Sequence, residues 1–136
     1  MTDRGTYTLL VRLDGPATVE FGAAGERALD AGWYAYTGSA FGPGGLSRVA
    51  RHRELARGER DARHWHVDYL LGHPGAAVED VVTTREADVE CAVARALVEA
   101  LAPVGGLGAS DCDCPTHLAF APERAPLERA VRAAHG

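Results

Sequence analysis

The chain has 136 residues, 46% hydrophobic and 24% charged, with a formal net charge of -5 and with arginine but no lysine as its strong base. A length and balance of this kind predict one globular domain spanning residues 1–136, able to bury roughly two-thirds of its unfolded surface, and exclude a disordered or low-complexity segment. No apolar run reaches the ~20 residues of a spanning helix and Met1-Thr2-Asp3-Arg4 does not open a signal peptide, so no membrane partner is expected and the expected location is cytoplasmic.

Thr6 to Leu13 is rich in strand formers and predicts a first strand. Asp14-Gly15-Pro16 is a turn, Ala17 to Phe21 alternates as a second strand, and Gly22 to Gly32 reads as loop. Gly32 to Gly38 predicts a third strand, with Tyr34, Tyr36 and Gly38 on one face and Trp33, Ala35 and Thr37 on the other. After the Gly42-Pro43-Gly44-Gly45 loop, Leu46 to Arg57 has helical spacing and Gly58 ends it. From Leu46 to His66 six arginines face Glu54, Glu59 and Asp61, a local +3 that leaves -8 elsewhere. An acidic chain is a poor general match for phosphate, but a local patch of this sign can still hold DNA.

Arg63 to Gly72 predicts a short helix and Val78 to Thr83 a strand. Thr83 with Glu86 three residues later has the capping-box pattern, predicting a helix onward to about Leu101. Gly105 to Thr116 is irregular and carries cysteines, Leu118 to Phe120 predicts a short strand, and Pro126 to Ala134 a last helix. The order points to an α+β fold, a small mainly antiparallel sheet flanked by helices, with a Cys/His-bearing C-terminal segment over 105–136.

Hydrolysing a phosphodiester needs a cation near the phosphate, an acceptor for a water proton, and a donor for the developing charge. Arg48 and His52 stand at i and i+4 on one helix face. Glu90 borders the apolar stripe Val89, Val93, Ala96, Leu97 and Ala100, which turns it toward the sheet. His64, Trp65, His66 and Asp68 form a further cluster, readable as DNA contact, as a proton relay, or as a structural His-Asp pair. Cys112, Cys114 and His117 form C-x-C-x-x-H, and Cys91 is a candidate fourth ligand for a structural zinc; the competing reading is cysteines as small buried fillers and His117 as a hydrogen-bonded cap. With three cysteines and no secretory signal, a disulfide framework is not expected.

Gly5-Thr6-Tyr7 and Tyr36-Thr37-Gly38-Ser39, followed by Arg48, His52 and Glu90, resemble the GIY-YIG nuclease superfamily. More narrowly, Tyr34 to Ala40, His64 to Leu71, Glu90-Cys91 and Ser110 to Leu118 are similar to a branch sometimes fused to endonuclease-III-type repair glycosylases. The resemblance implies a metal-dependent DNA endonuclease acting in repair. In it Glu90 holds one Mg²⁺ or Mn²⁺, Arg48 binds the phosphate, and Tyr7 or Tyr36 relays the proton with help from His52. DNA contact is expected from Gly38, Ser39, Arg51, Arg53, His64 and His66, and a repair glycosylase or other repair protein as partner. Two departures stand out: Ala17 to Ala31 lengthens the gap between the tyrosine motifs, and Ser39 replaces a basic residue found in relatives. The alternatives are a non-catalytic DNA-binding module of the same fold and a zinc-stabilised domain docking on a repair enzyme.

Overall fold

A computed structural model describes residues 4–21, 25–41, 45–58, 66–104 and 116–136. Its strands are β1 (Gly5–Leu13), β2 (Ala17–Glu20), β3 (Glu26–Leu29), β4 (Gly32–Ala40), β5 (Ala76–Arg85), β6 (Ala102–Pro103) and β7 (Leu118–Ala121). The helices are α1 (Ser47–Ala56), α2 (His66–Leu71), α3 (Glu90–Ala100) and α4 (Arg124–His135). Five strands form one antiparallel sheet in the order β5-β1-β4-β7-β6, and β2 and β3 form a separate antiparallel pair. The fold is α+β, as the pattern of elements predicts.

β1 lies between β4 and β5 and is buried along almost its whole length. A strand covered on both sides reads as a near-continuous apolar run, which is what TYTLLVRL supplies. Its alternation divides the core. Tyr7, Leu9, Val11 and Leu13 join Tyr34, Tyr36, Leu55, Val67, Leu70 and Leu71 beneath α1 and α2. Leu10 joins Ala35, Val93, Leu97, Leu127 and Val131 beneath α3 and α4. The assignment of Tyr34 and Tyr36 to one face of β4 and Ala35 to the other therefore holds.

Three local expectations are corrected. The segment read as loop between Gly22 and Gly32 contains β3, which pairs with β2 from Ala17↔Leu29 to Glu20↔Glu26. The extra length between the tyrosine motifs is thus largely a hairpin. Thr83 does not cap a helix: β5 continues to Arg85 because β1 pairs with it as far as Gly5↔Arg85. Glu86 then turns at φ 58°, its N–H donating to the Arg4 carbonyl at 2.8 Å. The two-residue strand β6, pairing with β7, was not anticipated.

α1 ends as expected. Gly58 takes φ 79°, where a side chain would be strained, and its N–H donates to the Leu55 carbonyl at 3.0 Å. α3 has no capping side chain of its own. The buried Thr6 of β1 supplies one from across the sheet edge: its Oγ1 accepts the Val89 N–H at 3.0 Å and donates to the Ala87 carbonyl at 2.9 Å. A cap of this kind satisfies one of the orphan donors of a helix start, and here it fixes the residue before Glu90. On the same face His135 anchors the end of α4. Its ring nitrogens lie 2.7 Å from Thr8 Oγ1 and 2.8 Å from Thr84 Oγ1, on β1 and β5.

Candidate active site

Below α1, three side chains from three elements form one buried line. Tyr7 Oη on β1 lies 2.9 Å from His52 Nε2 on α1, and His52 Nδ1 lies 2.9 Å from Asp68 Oδ1 on α2. Tyr7 and His52 are each 1% exposed and Asp68 3%. The amphipathic face of α1 that buries Leu55 also buries His52, so apolar packing carries the imidazole inward. Tyr36 of β4 meets the same ring edge-on, with centroids 6.5 Å apart.

Arg48, one turn before His52, is half-buried. Its guanidinium donates to the Ser39 carbonyl, and its charge favours the ionised form of the Tyr7 phenol. Arg48 thereby ties α1 to β4 and places a fixed positive charge beside both tyrosines.

Glu90 enters from the opposite helical layer, at the first position of α3. Its side chain is only 12% exposed, and Oε2 lies 3.5 Å from Nδ1 of the buried His117. His117 directly precedes β7, whose pairing with β4 ends at Tyr36↔Leu118. The Thr37 N–H donates to the His117 carbonyl at 3.0 Å, so this histidine is held against the end of the tyrosine motif.

The electrostatics express the same convergence. Burial pushes the Tyr7 phenol well above its ordinary pKa, ionisation of the neighbouring Tyr36 would add to the rise, and Arg48 opposes it. Burial likewise raises Tyr36, with the charges of Glu90 and Asp68 adding and that of Arg48 opposing. Both groups are therefore protonated phenols at neutral pH, donors that need an acceptor before either can take a proton.

Tyr7, Tyr36, Arg48 and His52 thus come together on one side of the sheet, and the Glu90 charge acts on Tyr36 from the other helical layer. The residues expected to touch DNA are dispersed. Gly38 is buried directly opposite Tyr7 in the β1–β4 register. A Cβ there would lie 2.5 Å from Tyr7 Oη and 2.6 Å from Cζ, so this glycine is the space the phenol occupies, not a surface contact. Ser39 is half-buried and offers its carbonyl to Arg48. Arg51 is exposed on α1, while Arg53 and Arg57 line a cavity of about 110 Å³ against Ala77 and Val78 of β5. His64 and Trp65 lie outside the described residues; His66 begins α2, with its side chain outside them.

Two ligand sets were expected. Among the described residues, no three His, Cys, Asp or Glu side chains gather into a cage. Mg²⁺ does not need one, since it commonly keeps waters and uses one or two carboxylates with substrate phosphate. A largely buried carboxylate suits such an ion, and Glu90 would hold it. The zinc set fits less well. Cys91 is disulfide-bonded, so it offers no thiolate, and this also corrects the expectation of free thiols. Cys112 and Cys114 lie outside the described residues, and the remaining member, His117, faces Glu90.

Asp68, Thr6 and His117 were not assigned these parts from sequence. Asp68 stood out only within its own cluster, because its partner is 16 residues away on another helix. Fold and site together define a small α+β domain built around a buried Tyr-His-Asp line with a carboxylate from the opposing helical layer. The chain belongs to the family described as Domain of unknown function DUF123, which it matches over residues 6–136. No curated protein and no solved structure gives a significant match.

Proposed function

We propose that this protein is a divalent-metal-dependent endonuclease of the GIY-YIG type, hydrolysing DNA phosphodiester bonds in repair, with a repair glycosylase or similar protein as a fitting partner. The observation that supports the reading is the packing of Tyr7, Tyr36, Arg48 and His52 from three separate elements, with the Glu90 charge acting on Tyr36. Glu90 would hold the divalent ion, which when bound would supply Lewis-acid stabilisation of the phosphate. The Arg48 guanidinium meets the charge gained by the phosphate as the water oxygen bonds to phosphorus. The water proton passes to Tyr7 Oη as the Tyr7 proton passes to His52 Nε2, the direction the 2.9 Å contact allows. The bond from phosphorus to the leaving sugar oxygen breaks, and that oxygen takes a proton from solvent.

A second reading, a DNA-binding module that does not cut, is favoured by the near-complete burial of Tyr7 and His52. Nicking of supercoiled plasmid with Mg²⁺ or Mn²⁺, measured beside DNA binding, separates the two. On the nuclease reading the wild type nicks, Glu90→Gln binds without nicking, and Arg48→Ala loses on the order of a hundredfold in rate and also binds more weakly. A folded wild type that binds but never cuts duplex, nicked or branched DNA establishes the second reading.

A further inference from the structure

The polarity of the buried line follows from its ends. An ionised carboxylate only accepts hydrogen bonds. Asp68 Oδ1 at 2.9 Å therefore calls for the hydrogen on His52 Nδ1. In the neutral ring Nε2 then presents a lone pair to Tyr7 Oη at 2.9 Å, and the phenol donates. With the other tautomer, two acceptors would face each other at the buried Asp68 end, and burial there makes unpaired acceptors costly.

We propose that Asp68 is a positioning residue for the proton transfer: its carboxylate fixes the Nδ1–H tautomer of His52, and so makes Nε2 the acceptor of the Tyr7 proton. As the Oη–H bond breaks and the Nε2–H bond forms, Oη takes the water proton, Asp68 holds the imidazolium, and the Arg48 charge lies near the phenol oxygen. No oxidant or co-reactant is required. The catalytic purpose rests on the nuclease reading; the tautomer rests on geometry alone. Because burial keeps Tyr7 protonated on its own account, the relay through His52 is what gives that phenol a route to accept a proton from water.

The tautomer can be read by ¹⁵N NMR of the wild-type imidazoles near neutral pH, with His52 assigned through His52→Gln. The expected signature is a protonated Nδ1 and an unprotonated Nε2. Asp68→Asn keeps the shape but lets its amide donate to Nδ1, which favours the opposite tautomer; in a comparable acid–histidine pair such a change costs on the order of 10⁴-fold in rate. Here cleavage should fall by roughly a hundredfold or more while DNA binding stays within about twofold, and Asp68→Glu should restore part of the rate. A merely structural Asp68 would lower stability without moving the tautomer. An Nε2–H tautomer in the wild type overturns the proposal, and this measurement stands even if Asp68→Asn does not fold. So does an Asp68→Asn protein that cuts at the wild-type rate. If the wild type shows the expected tautomer but cuts no DNA, the nuclease reading has failed, and the catalytic role of Asp68 falls with it while the geometry stands.

Discussion

Replacing Gly38 by alanine tests the packing under the Tyr7 phenol directly. The new Cβ would lie 2.5 Å from Oη, 2.6 Å from Cζ and 3.1 Å from Cε1. Carbon atoms rest at about 3.5–4.0 Å, so the ring must retreat by roughly 1 Å. Tyr7 is buried in a close-packed core, and a shift of that size would stretch its 2.9 Å contact with His52 beyond hydrogen-bonding range. Overpacking costs about 1–3 kcal/mol and a lost buried hydrogen bond about 1 kcal/mol. Against these stands a gain of about 0.5–1 kcal/mol from replacing a strand glycine. The net expectation is a loss of about 2 kcal/mol, read from urea unfolding at constant m. Coupling identifies the cause: in a Tyr7→Ala background, where the obstructing ring is gone, the same Gly38→Ala change should be neutral or slightly stabilising. Equal costs in the two backgrounds, or a cost below about 0.5 kcal/mol in the wild type, would refute the reasoning.

Thr6→Val removes the hydroxyl that caps α3 and should cost about 1 kcal/mol in urea unfolding; it should also raise the Mg²⁺ or Mn²⁺ concentration any cleavage needs, because Glu90 directly follows the capped Val89. Burial lowers the His135 pKa, so the unfolded chain binds a proton more readily than the folded one. The stability this contributes is complete above the unfolded value of about 6.5 and is lost as pH falls from there through the folded value. The Tm should accordingly drop between pH 7.5 and 5.5, and His135→Asn should lessen that drop; an unchanged drop would assign it to other groups. Reversing charge at Arg51, Arg53 and Arg57 should weaken DNA binding across all sequences and flatten its salt dependence by about 0.9 in log-log slope per lost phosphate contact. Unchanged affinity in that triple variant would move the DNA surface away from α1.

The strands bearing the tyrosines were legible because β1 and β4 are dense in strand formers and their period of two sorts Tyr34 and Tyr36 from Ala35 without tertiary information. α1 was legible from its apolar spacing and Gly58. β3 was not, since Glu-Arg-Ala-Leu has helical preference and only its ladder with β2 makes it a strand. The Thr83–Glu86 pattern misled for a related reason: a local cap competes with a long-range ladder, and pairing with β1 prevails through Arg85. The candidate site was legible as residue types, with Arg48 and His52 sharing a helix face and Glu90 beside an apolar stripe. Its wiring was not. That Asp68 meets His52, that Thr6 caps α3, and that Gly38 makes room for Tyr7 are facts of register and helix docking, which no spacing along the chain encodes.

The adjacent residues Thr6 and Tyr7 face opposite layers, one holding the start of α3 and the other joined to His52 of α1. A strand's side chains change faces with every residue. Slipping β1 by one position would therefore exchange the hydroxyl and the phenol, undoing both attachments in a single event. Loosening either helical layer by itself would also break the site, since each layer contributes part of it. Function should then report on the cooperative unit as a whole: on mild denaturation, loss of the site should coincide with hydrogen exchange of the β1 amides, the slowest to open, and not with fraying at α4 or the β2–β3 hairpin.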